Sequence, residues 1–272
     1  MSNSINTNVG AMVALASLRT TQSALNVASK QVQTGYRVAD AMDDASTFSV
    51  AQGIRGNLQA FQAVQGSLAN GVGLGSVTQA ALTNISNLIG NLQAKITQLA
   101  DGSIANDQRT IYAADFTAMT NQISNFITQA NYNGTNLLSN NSTAKTFLAD
   151  TSASTLTVQS GSTVNTAFTA FGASSVSSAT AATAALTSLT TFKQTVSSVL
   201  GANASDTRTL QLQSNFVNSV VDATTTGLGA IVDADIGKAS ASVQALQVRQ
   251  QLGIQSLSIA NQQPSVLLGL FR

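Results

Sequence analysis

The two ends of this chain carry matching helical patterns, and that match limits the fold more than any other feature. Residues 233–272 read DADIGKASASVQALQVRQQLGIQSLSIANQQPSVLLGLFR. One apolar stripe runs Ala239, Val243, Leu246, Gly253, Leu257 and Ala260, and a second runs Ala241, Ala245, Val248, Leu252 and Ile259. Together they predict a helix with an apolar face wider than a single seam needs. Only Lys238 and Arg249 carry charge between residues 236 and 271, and the run closes on Val266, Leu267, Leu268, Leu270 and Phe271. Chain ends are usually frayed and polar, so an ending of this kind needs a cover. Either it is a docked core helix of a monomer or it is an assembly helix. At the other end, Leu15, Leu18, Gln22, Leu25, Ser29, Val32 and Tyr36 step by three and four, a heptad seam with two polar interruptions. Gly35 marks its stop. Pairing the two helices brings the termini together and makes the middle of the chain loop outward.

Composition supports association over catalysis. Charged residues are 8% of the 272, against about 25% in an ordinary domain. The net charge is +1, a value that favours self-association. The acids are all Asp, and there is no Glu, His, Cys or Trp. Without His and Cys, most nucleophile-plus-base arrangements, most transition-metal sites and all disulfides are excluded. No cluster of Lys and Arg interleaved with aromatics exists to hold nucleic acid. The uncharged run 250–271 is broken by Gln, Asn and Pro264 and is not a membrane span. Residues 1–18 lack the basic start of a secretory signal.

Between the ends, YRVADAMDD at 36–44 reads as a connector, with Asp43, Asp44 and Ser46 as helix N-cap candidates. A long periodic segment follows from Phe48 to Leu99, closed by Asp101-Gly102. Gly71, Gly73 and Gly75 interrupt it at about 1 kcal/mol each relative to Ala, which by local chemistry is a break or hinge. A further helix starts near Asp107 and stops at Tyr132-Asn133-Gly134. Residues 140–182 turn to Ser, Thr, Ala and Gly. Thr146–Leu148 and Thr155–Val158 there predict a small β-hairpin beside a surface loop, the alternative being a disordered linker. Helical periodicity returns near Ala181 and runs to Ile231 across a weak spot at Gly201–Ser205.

The remaining motifs are faint. Asp43/Asp44 and Asp233/Asp235 pair acids, but helix capping explains them better than hydrolysis or Ca²⁺. Gly71–Gly75 lacks the ending and the preceding strand of a phosphate loop. Asn133-Gly134-Thr135 and Asn203-Ala204-Ser205 match glycosylation acceptors.

Four segments carry a resemblance: QALQVRQQLGIQSLSIANQQPSVLLGLFR at the end, VDAD at 232–235, TGYRVADAMDDA at 34–45 and ANYNGTNLL at 130–138. They resemble bacterial flagellin, over both ends and both helical arms. In the 34–45 block Arg37, Asp43, Asp44 and Ala45 match the family pattern, while Val38, Ala39 and Met42 depart from it. The resemblance implies a mainly α fold, a long antiparallel helical bundle or coiled coil with its terminal helices paired and a small β-hairpin in the middle. It divides the chain into residues 1–43 and 236–272, the two halves of a terminal coiled-coil domain, and 44–235, an outer helical domain with its hairpin and loop at about 140–182. It implies a continuous first arm across Gly71–Gly75. Its function is that of a non-enzymatic subunit self-assembling into the flagellar filament for swimming. The alternatives are a hook–filament junction protein and a coiled-coil surface adhesin. The implied partners are further copies of the chain, the flagellar export apparatus, an export chaperone, and the junction and cap proteins, with no nucleic acid, membrane or cofactor. The resemblance also implies secretion into the extracellular flagellum. The expected assembly interface is Leu15, Leu18, Leu25, Val32, Val243, Leu246, Leu252, Leu257, Ile259, Leu267, Leu268, Leu270 and Phe271.

Overall fold

A computed structural model describes residues 7–270, with the side chains of those up to Gln262. Its elements are α1 (Val9–Thr34), α2 (Ala45–Ala100), α3 (Asn106–Gln129), β1 (Lys145–Leu148), β2 (Thr155–Val158), α4 (Ser162–Gly172), α5 (Ala179–Val232) and α6 (Ile236–Leu270). The fold is mainly α with one two-stranded sheet, as the sequence predicts. The chain forms two compact units, residues 57–222 and the two terminal stretches 1–56 and 223–272.

In the middle unit, the long apolar periods of α2 and α5 are buried together with α3 and α4. One cluster joins Leu82, Ile85, Ile89, Leu92, Ile96 and Leu99 of α2 to Phe116, Ile123 and Ile127 of α3 and to Leu189, Phe192 and Val196 of α5. Phe171 of α4 completes it. Its ring stacks on Phe192 at 5.7 Å and meets Phe116 edge-on at 5.8 Å, both favourable aromatic geometries. Lys95 of α2 ties α3 down through Asp115, 3.1 Å away, and lies 4.5 Å above the Tyr112 ring. Arg109 donates to the carbonyls of Leu99, in the last turn of α2, and of Asp101, just past its end, a cation where the helix leaves acceptors unmet.

The predicted hairpin is present. β1 and β2 pair antiparallel with Lys145 opposite Val158 and Leu148 opposite Thr155. Asp150 folds the turn by accepting from the amides of Ser152 (2.8 Å) and Ser154 (2.9 Å). The loop expected beside it is instead partly helical. α4 occupies Ser162–Gly172, and its Val164 and Phe171 are fully buried. Burial of those two side chains outweighs the poor helix propensity of the Ser- and Thr-rich surroundings.

The two weak spots of the long arms face each other. Both helices run through them unbroken. A Cβ on Gly71 would lie 2.9 Å from Leu210 and 3.0 Å from Phe147, one on Gly73 would lie 2.6 Å from Tyr132, and one on Gly75 would strike the Thr207 hydroxyl. Buried Asn203 donates to the Gly75 carbonyl at 2.9 Å. The glycines are contact surfaces for β1, the 132–135 turn and α5, so packing recovers more than their helix propensity loses. Asn203 is 3% exposed, which closes this acceptor motif to a glycan in the folded chain.

Candidate assembly interface

The terminal unit is built from α1, the connector and α6. Asn8 caps α1, its carboxamide oxygen accepting from the Ala11 amide at 3.0 Å. Gly35 ends the helix in the left-handed region at φ 75°, its amide donating to Gln31. The chain then pairs with the segment entering α6. Arg37 N–H donates to the Val232 carbonyl at 2.7 Å, and Ala234 N–H donates to the Gly35 carbonyl at 2.9 Å. From there α6 runs back along α1. Gln250 bonds to Gln22, Gly253 packs against Leu18, and the Asn8 carboxamide reaches the Ala260 carbonyl at 2.6 Å. Residue numbers rise on one helix as they fall on the other, so the termini-together pairing is antiparallel.

This pairing separates the two stripes of α6. They are offset by two residues, roughly 200° around a helix of 3.6 residues per turn. They therefore lie on nearly opposite faces and do not form the single wide face expected from spacing. The stripe of Ala239, Val243, Leu246, Gly253, Leu257 and Ala260 is buried or half-buried. In the other, Val248, Leu252 and Ile259 stay open, Leu252 at 57% and Ile259 at 62% exposure.

The expected interface residues divide the same way. Leu18, Leu25, Val243, Leu246 and Leu257 are half-buried, while Leu15, Val32, Leu252 and Ile259 are exposed. The side chains of Leu267, Leu268 and Leu270, together with Phe271, lie outside the described residues. Heptad stepping selects the seam within the chain and misses the open side of α1, where Val9, Met12, Val13 and Val27 are exposed. Their signal was present as apolar residues off the seam. Apolar side chains left open on a helix are the kind of surface that association covers.

The connector is stiff and charged. Lys30 reaches Asp40 at 2.6 Å and Asp43 at 2.8 Å. Bonding to Lys30 holds both carboxyls below their ordinary value, and their bonds raise the ammonium above its own. Of the capping candidates, Asp44 serves α2. Its carboxylate accepts from the amides of Ser46 (3.0 Å) and Thr47 (3.1 Å), and its main-chain carbonyl accepts from Phe48. The Thr47 hydroxyl also donates to it, and these bonds lower its pKa. Asp43 joins the Lys30 clamp instead.

An antiparallel helix pair, half-buried along its seam and charge-poor and apolar on its open side, defines the class as a structural α protein. Comparison with known proteins gives the family. Residues 5–143 match the bacterial flagellin N-terminal helical region, and residues 179–271 match the C-terminal helical region. The chain is 35% identical to Flagellin FljK of Caulobacter vibrioides over 270 residues, covering 99% of each. It is 31% identical to a flagellin of Brucella melitensis over 283 residues, again 99% of each. The crystal structure of Bacillus cereus flagellin aligns with a TM-score of 0.50 at 20% identity, over 56% of this chain and 88% of that one, which supports the fold. The chain belongs to the bacterial flagellin family and is a structural subunit of the flagellar filament.

Proposed function

We propose that this subunit polymerises through its terminal unit. Residues 1–43 and 236–272 form the core of the filament, and 44–235 lies outside it. The observation that carries this reading is the open stripe of α6 opposite the covered one: Leu252 and Ile259 are left open by the described residues. Leu15 and Val32 of α1 face other copies of the chain, and Leu267, Leu268, Leu270 and Phe271 extend the same contact. Leu18, Leu25, Val243, Leu246 and Leu257 hold the pair that presents it. Before assembly the subunit is handled by the flagellar export apparatus and an export chaperone. In the extracellular filament it meets the junction and cap proteins at the two ends.

The test is electron microscopy of the purified protein beside the double variant Leu252→Ser, Ile259→Ser. The wild type should form long tubes. The variant should remain unpolymerised with unchanged helix content, because the two side chains are already in water in the monomer. Normal tubes from the variant would remove the open stripe from the interface, and absence of tubes from the wild type would refute the assignment of the terminal unit to polymerisation.

A further inference from the structure

Met42 is 96% exposed at the tip of the connector turn, covered by nothing among the described residues. The turn that carries it is held from several sides. Met42 N–H donates to Asp40 at 2.8 Å, Asp43 accepts from the amides of Ala39 (3.0 Å) and Asp40 (3.2 Å), and Lys30 clamps both carboxylates. An apolar side chain on a pre-ordered turn binds with little further loss of backbone freedom. Methionine also adapts to irregular surfaces. Open helical polymers use heterologous contacts, in which each copy presents two different and complementary patches. Met42 supplies one of them.

The other is a groove of about 520 Å³ between α1 and α6. Ala14 and Ser17 line it from α1, and Arg249, Leu252, Gly253 and Ser256 line it from α6. Its small residues leave room for a side chain, and Leu252 belongs to the open stripe, so the groove is continuous with the proposed assembly face. Charge matches as well. The turn holds three carboxylates, Asp40, Asp43 and Asp44, against two cations, Lys30 and Arg37, leaving one negative charge in excess. Arg249 has no ion pair among the described residues.

We propose that Met42 of one copy seats in the α1–α6 groove of another copy in the filament, against Leu252 and Gly253, with Arg249 facing the acidic turn. This rests on the filament reading and names a contact within it. The contact fixes neighbour-to-neighbour register at a position where the chain departs from the family pattern.

The absence of cysteine gives a clean test. Copies carrying Met42→Cys and copies carrying Ser256→Cys are copolymerised, oxidised and run on a denaturing gel. A disulfide needs the two Cβ atoms within about 4.5 Å. The expected result is abundant mixed dimer from filaments and none from the unpolymerised mixture. Replacing Ser256→Cys by Ser242→Cys should give background only. Normal filaments without mixed dimer, or with equal yield from Ser242→Cys, overturn the proposal. Failure of the wild type to polymerise would instead refute the underlying filament reading. A second measurement covers the case in which the cysteine variants do not assemble. Met42→Lys, which sets a like charge against Arg249, should raise the critical concentration about tenfold with monomer helix content unchanged, while Met42→Leu leaves it near wild type. A wild-type critical concentration for Met42→Lys would also overturn it.

Discussion

The middle unit and the terminal unit are both helical, yet among the described residues only the middle one has a core of large side chains. Phe171, Phe192, Leu68, Leu82, Ile85, Ile89 and Leu92 are fully buried, and all lie within 57–222. Among the described residues of the terminal unit, the buried apolar ones are Ala28, Val38, Ala51, Val232 and Ala239, small or close to the connector. Much of the described apolar content of α1 and α6 lies on faces that stay open, Val9, Met12, Val13, Val27, Val248, Leu252 and Ile259 among it. The middle unit buries its large side chains internally, whereas the described part of the terminal unit leaves many of its apolar side chains exposed. Paired helices with few large buried contacts are marginal in isolation.

The largest expected effect separates the two units directly. Phe171→Ala should cost about 3–5 kcal/mol of monomer stability, measured by denaturant unfolding, because it empties an enclosed aromatic cluster. A comparable loss from Leu252→Ala would erase the distinction. Next is proteolysis. Trypsin acting on monomer should cut first at Arg19, Lys238 and Arg249, leaving the middle unit as a resistant fragment, and polymerisation should protect those sites. Equal protection in both states would show the terminal unit to be stable alone. Within α2 the comparison becomes finer. Gly73→Ala meets Tyr132 and should destabilise by about 1–3 kcal/mol. Gly66→Ala faces open space and should stabilise by up to about 1 kcal/mol.

The smallest effect is pH. Asp40, Asp43 and Asp44 are held below their ordinary value of 3.8, so their contribution is present above that value and is lost as pH falls through their lower folded values. Lys30 is raised above 10.5, so its contribution is present below 10.5 and is lost as pH rises through the higher folded value. Filament sedimentation should therefore be flat from about pH 5 to 8, where no side chain of this composition ordinarily titrates. Lys30→Met should weaken the acid-side loss without removing the part due to Asp44. A depolymerisation step between pH 6 and 7 would contradict this charge assignment.

Much of this was legible in the residues. Heptad stepping located both terminal helices, and the β-branched runs with their Ser-rich turn located the hairpin. α4 was not legible, because Ser, Thr and Ala around Val164 and Phe171 carry no strong local preference and only the aromatic cluster makes them helical. Gly71–Gly75 and Gly201–Ser205 each look like breaks when read alone. Their continuity depends on one fitting the other, and that is information about pairs of residues far apart in sequence. The open stripe of α6 was visible as a pattern, but which stripe faces α1 depends on where the connector sets the register.

The contact of Gly75 with Asn203 and Thr207 has a mechanical consequence. Smooth leucine surfaces resist separation well and sliding poorly. Here a side-chain amide crosses to a main-chain carbonyl, and a threonine fills the space a Cβ would need. A slip of one helical turn, about 5.4 Å, would break that bond and drive Tyr132, Leu210 and Phe147 against new side chains. The two long arms are therefore keyed against sliding past each other at mid-length, through a hydrogen bond and shape rather than through apolar contact alone.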